Sequence, residues 1–180
     1  MLSKIRKKGR LERDELRTAL VGCHKYGDFK LSSGERSNEY YDLASLFLSP
    51  GGLRMVSDEV VNALGEAEFD ALGCYELCPV SLVGAILCRT FTNKRGFIVR
   101  KTRKGYGTNN LVEGDSRPGD RAVILEDVTS TGSSVMKAIR AVEGLGCEVV
   151  RILTIINRQE GCDELLKDYN FEYLFRKEEL

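Results

Sequence analysis

The sequence predicts an α/β protein built on a largely parallel sheet with helices on both faces. Three observations lead there. From about residue 52 onward, short apolar runs alternate with segments of 3.6-residue periodicity, the pattern that crossover-linked parallel strands produce. The 180 residues, 42% hydrophobic and 30% charged, suffice for one domain with a full core. A hydroxyl-rich turn at 129–133 separates an apolar run from a helical pattern, as at a strand-to-helix junction.

Leu16, Leu20 and Cys23 mark one face of an N-terminal helix, and Gly27 then opens a strand-rich stretch at 28–47. A second helix is expected from about Gly52 to Leu64, with Leu53, Val56, Val60 and Leu64 on one face and Gly65 as its stop. Strands are expected at 69–74, 96–101, 121–126, 148–156 and 171–175, and helices at 80–91, 133–145 and 160–168. Residues 102–119 lack apolar periodicity and carry four glycines and a proline; so long a segment in a compact domain reads as a functional loop or lid.

Composition narrows the function classes. Lys plus Arg and Asp plus Glu both number 27, so no net charge points to nucleic acid or a membrane surface. The one basic run, Lys4, Arg6, Lys7, Lys8 and Arg10, reads as a solvated tail ahead of the first helix. No apolar stretch has the length of a membrane span, and no apolar run follows the basic residues as in a secretory signal, so the cytoplasm is the expected compartment. The six cysteines form no C-x-x-C pair, and with a single histidine no zinc site is expected. Cys23, Cys88 and Cys147 fall in apolar patterns and are expected as buried thiols.

The most informative stretch is 123–134. Its apolar run ends in Glu126 and Asp127, followed by Val128, Thr129, Ser130, Thr131, Gly132 and Ser133; Val135, Ile139, Val142 and Leu145 then recur at helical spacing. A turn there aims backbone N–H groups and hydroxyls at one point, which suits a phosphate monoester. Two carboxylates at the carboxyl end of a strand can accept hydrogen bonds from sugar hydroxyls. An ordinary N-capped helix would explain one hydroxyl residue, not four. The residues read as a ribose-phosphate cradle.

This segment resembles the phosphoribosyl diphosphate (PRPP) binding motif of the type I phosphoribosyltransferases. Three further stretches are similar to orotate phosphoribosyltransferases in particular. Phe29, Lys30, Leu31, Ser32, Ser33 and Gly34, with Tyr40, Tyr41, Asp42 and Leu43, resemble their N-terminal signature. Arg100, Lys101, Lys104, Gly107 and Leu111 to Gly114 resemble their basic flexible loop, and Asn157, Arg158, Gln159, Glu160 and Gly161 a late signature. The resemblance implies one domain over 1–180: a parallel five-stranded core, a small hood mainly from about 1–47, and a catalytic loop at about 102–114.

It also implies roles. The turn at 129–133 would hold the 5-phosphate, while Glu126 and Asp127 would contact the ribose hydroxyls. Arg100, Lys101 and Lys104, beside Arg103, would meet the pyrophosphate, with Lys104 supplied in trans across a homodimer. Mg²⁺ would be held mainly by PRPP and water. Glu76, Leu77 and Cys78 would form the pyrophosphate loop. Arg158, Thr131, Tyr40, Tyr41 and Ser32 would line the base site, Arg158 gripping the orotate carboxylate. The chain departs from the family pattern at Cys78 (usually Gly), Tyr106 (usually His) and Asn157 (usually Asp), and Ser32 stands where some members carry Lys. The implied reaction is transfer of the 5-phosphoribosyl group from PRPP to orotate in pyrimidine synthesis. A transferase for another base such as a purine, or a non-catalytic PRPP- or nucleotide-sensing protein, stays open.

Overall fold

The computed structural model describes residues 2–30, 34, 36–103 and 110–180, with side chains from residue 12 onward. Helix α1 (Leu2–Gly22) buries Leu16 and Leu20, followed by the buried Cys23. Strands β1 (His24–Lys30) and β2 (Arg36–Tyr41) form an antiparallel ribbon. Helices α2 (Leu43–Phe47) and α3 (Pro50–Leu64) follow. The Ser49 side chain accepts from Gly52 N–H and Pro50 occupies the first turn, so both devices that start a helix are present at α3.

The rest of the chain builds a sheet from β3 (Ala71–Tyr75), β4 (Arg95–Val99), β5 (Val112–Gly114), β6 (Arg121–Thr129), β7 (Glu148–Asn157) and β8 (Phe171–Arg176). Their order is β5-β4-β3-β6-β7-β8; all pairs are parallel except β4 with β5. Helices α4 (Val80–Arg89), α5 (Ser133–Glu143) and α6 (Cys162–Leu165) and a closing 3-10 turn (Lys177–Glu179) complete the chain.

The apolar runs are continuous because both sheet faces are covered. Along β6 the side chains alternate: Val123 and Leu125 join a core with Leu16, Val56 and Leu82, while Ala122 and Ile124 join one with Phe97, Ile139 and Val142. Gly73 is required by packing, since a β-carbon there would lie 2.3 Å from the Phe97 ring. Among the described residues no helix is long and apolar enough to cross a membrane.

Several expectations need correction. The basic cluster is part of α1 rather than a tail ahead of it. The strand-rich stretch ends at Tyr41, and 43–47 is helix α2, with Leu43, Leu46 and Phe47 buried at helical spacing. The helix expected at 160–168 shrinks to four residues. Five parallel strands are present, but a sixth, antiparallel β5, borders β4 inside the segment read as loop. Cys23 and Cys147 are buried as expected; Cys88 is exposed on α4, where the sheet-facing positions are Leu82, Val83 and Ile86.

Candidate active site

After β3 the chain runs to β4 on one side; after β6 it runs to β7 on the other. Ligands of open α/β sheets bind at such a switch, beyond the carboxyl ends of the strands. A cavity of about 390 Å³ opens there. Tyr75, Glu76 and Cys78 line it from the β3 end, and residues 126–135 from the β6 end. Lys30, Tyr40 and Tyr41 close it from the ribbon, with Lys101 and Arg158 at its margins.

The β6 wall is made by one unbroken segment. Gly132, at φ +84°, turns the chain into α5, and the first N–H groups of that helix face the turn with no intrahelical partners. Thr131 Oγ1 and Ser133 Oγ lie 2.9 Å apart at the helix mouth. The Thr129 hydroxyl plays a different part from the one expected: Thr129 is buried and its hydroxyl bonds Thr154 Oγ1 at 3.0 Å, tying β6 to β7. Glu126 is buried, and among the described residues its Oε2 has no partner. Burial first, and the neighbouring Asp127 second, hold its carboxyl well above the usual carboxylate range. Asp127 Oδ1 accepts from Val128 N–H at 2.8 Å, which fixes the second acid.

The β3 wall carries backbone strain at one place. Glu76, not Cys78, adopts the left-handed conformation, with φ +59°. Its N–H donates to Val99 O at 2.8 Å and its carboxylate accepts from Lys101 N–H. The glycine usual at position 78 is therefore not replaced at a left-handed residue. Cys78 is partly buried; burial and the Asp127 carboxylate push its thiol up, and burial pushes Cys74 up to about 12. Neither supplies a thiolate nucleophile at neutral pH. Leu77 is exposed and outside the cavity lining. Arg100 also lies outside it, with Nε 3.6 Å from Glu113 on β5. Lys104, Tyr106 and Ser32 lie outside the described residues.

The wall expected to meet the base draws on four separated segments. Tyr40 stacks on Phe29 with ring centres 5.4 Å apart, and Tyr41 is buried against His24 at 4.4 Å. Arg158 follows β7, its N–H bonded to Thr129 O at 2.8 Å. Its Nη2 meets Ser37 Oγ at 3.2 Å, Glu39 Oε1 at 3.1 Å and Glu160 Oε1 at 2.8 Å. Glu39, buried on β2, also accepts from Lys177 and sits 2.9 Å from His24 Nε2. Burial opposes its ionisation, but Lys177, His24 and Arg158 outweigh that and hold its carboxyl below the usual range.

The structure thus brings together Glu126 to Ser133, Glu76, Cys78, Lys101, Tyr40, Tyr41 and Arg158. Sequence reading placed Lys30 in the N-terminal signature without a site role, and missed Tyr75, Glu39 and Lys177. Glu39 left a signal: it is an acid in the same strand phase as Ser37 and the buried Tyr41, where an apolar residue would be expected.

Comparison with known proteins shows the family and the fold. The model of the phosphoribosyl transferase domain matches residues 81–175. The chain is 38% identical to an orotate phosphoribosyltransferase of Pyrococcus abyssi, over 84% of this chain and 83% of that one. The crystal structure of the Aeropyrum pernix orotate phosphoribosyltransferase superposes with a TM-score of 0.73 at 30% identity, covering 99% of this chain and 94% of that chain. The Mycobacterium tuberculosis enzyme of that name gives 0.79 at 25% identity, covering 93% and 98%. The chain belongs to the phosphoribosyltransferases and, among them, to the orotate phosphoribosyltransferase family.

Proposed function

We propose that the chain transfers the 5-phosphoribosyl group from PRPP to orotate, giving orotidine 5′-monophosphate and pyrophosphate. The observation that carries this is the juxtaposition, in one crevice, of the 126–133 cradle with Lys101 on one side and Arg158 on the other. The α5 mouth with Thr131 and Ser133 would seat the 5-phosphate, leaving the ribose ring over Asp127 and Glu126. As positive charge grows on the ring, the carboxyl oxygens of Asp127 and Glu126 beneath it would stabilise the transition state. Lys101, together with Lys104 from the loop, would neutralise departing pyrophosphate. Tyr40 would cover the base plane and Arg158 bind its carboxylate.

Mg²⁺ is proposed as the cofactor. Among the described residues no cluster of three or more His, Cys, Asp or Glu could hold a metal alone. Two acids, one with an unpartnered buried oxygen, fit an ion that keeps waters and phosphate oxygens as its other ligands. Such an ion would offset charge on the pyrophosphate. A homodimer sharing the catalytic loop is proposed too; mixing Lys104→Ala with Asp127→Asn protein should restore activity through hybrid dimers, and no restoration despite subunit exchange would count against it. All six cysteines are free, in keeping with a reducing cytoplasm.

The test is pyrophosphate release from PRPP and Mg²⁺ with orotate, uracil and the common purines. Release with orotate is expected. Release only with a purine would reassign the base, and PRPP binding without release for any base would make the protein a sensor.

A further inference from the structure

The base wall contains a carboxylate of its own. A guanidinium grips a carboxylate side by side through Nε with Nη2 or through Nη1 with Nη2, so both grips use Nη2. In Arg158 that nitrogen, with two hydrogens, already has three acceptors: Ser37, Glu39 and Glu160. Its Nε is buried and has no partner among the described residues, although Arg158 lines the cavity. The side chain of Glu160 is 39% exposed and can turn into solvent when a ligand takes its place. That of Glu39 is 9% exposed and held at both oxygens, by Lys177 and Arg158 at Oε1 and by His24 at Oε2. It therefore stays, charged, beside any carboxylate the base brings.

We propose that Glu39 is a positioning residue that sets base specificity through Arg158. Its carboxylate occupies Arg158 Nη2 and lowers the preference of the pocket for a carboxylated pyrimidine over the same pyrimidine without the carboxylate. Lys177 sets how far, because it draws on the same oxygen, Oε1, that Arg158 uses. The inference rests on the ribose-phosphate and base assignments proposed above.

The probes are orotidine and uridine 5′-monophosphates, which share the ribose 5-phosphate and differ only in the base carboxylate. Their dissociation constants for the full chain give a preference ratio that requires no turnover. Glu39→Gln keeps the shape and removes the charge; the preference for the orotidine nucleotide should rise about tenfold. Lys177→Met should lower it in the wild-type background and leave it unmoved in the Glu39→Gln background, which separates action through Glu39 from a direct effect of the lysine's charge. An unchanged or lowered ratio in Glu39→Gln overturns the proposal, as does a Lys177→Met effect of equal size in both backgrounds. If Glu39→Gln does not fold, Glu39→Asp, which draws the carboxylate back from Nη2, takes its place in both arms with the same supporting and overturning outcomes. Failure of both nucleotides to bind the wild-type chain would instead overturn the ribose-phosphate reading, and this inference with it.

Discussion

The two walls of the crevice are built in opposite ways. The wall proposed to hold the ribose phosphate is a single run from Glu126 to Ser133, positioned by its own strand, turn and helix. The base wall is assembled from β1, β2, the end of β7 and the closing turn, joined by charge: Arg158, Glu39, Lys177 and His24 come from four places in the chain. The first is fixed by local backbone geometry and the second by long-range electrostatics. A local wall tolerates distant substitutions, whereas an assembled one responds to changes in any contributing segment.

The largest effect expected is on the local wall. Glu126→Gln with Asp127→Asn should lower turnover about 10³-fold at unchanged fold, seen as unchanged circular dichroism; wild-type rates would end the ribose role. On the assembled wall, Arg158→Met should raise KM for orotate about 100-fold while KM for PRPP stays put. Equal rises in both constants would mean that the walls are not separable.

The pH dependence of stability should differ in sign between the walls. Glu126 has a folded pKa raised above its unfolded value, so its contribution is full at low pH and is lost as pH rises from the usual carboxylate range through the folded value. Glu39 has a lowered folded pKa; its contribution is present at neutral pH and is lost as pH falls through that value. Thermal melts against pH should therefore show Glu126→Gln flattening the alkaline side of the profile and Glu39→Gln the acidic side. The groups facing Glu39 are Lys177, Arg158 and His24, and those facing Glu126 are Asp127 and Glu76. The same flattening from both variants would erase the contrast. The smallest effect belongs to Thr129→Val, which removes the bond to Thr154: a loss of about 1 kcal/mol in chemical denaturation with KM for PRPP unchanged.

The contrast also explains what could be read in the chain. Residues 123–134 carry strand, acids, turn and helix in one window, so the cradle was legible there, as were the parallel sheet and the family signatures. The bond from the Thr129 hydroxyl to Thr154 left no sequence signal, because it joins residues 25 positions apart on different strands. Glu39 and Lys177 meet across 138 residues, and no local pattern links a strand acid to a lysine after the last strand. Antiparallel β5 was hidden because three residues are too few to show a period.

Glu76 carries one more consequence. Its left-handed backbone costs about 1 kcal/mol, and its carboxylate pins the backbone of Lys101, where the basic loop begins. The turn after β3 is therefore a sprung post: strain at Glu76 is exchanged for a fixed backbone at Lys101. A glycine at 76 would relieve the backbone strain but release the Lys101 backbone, so the two effects oppose each other in stability.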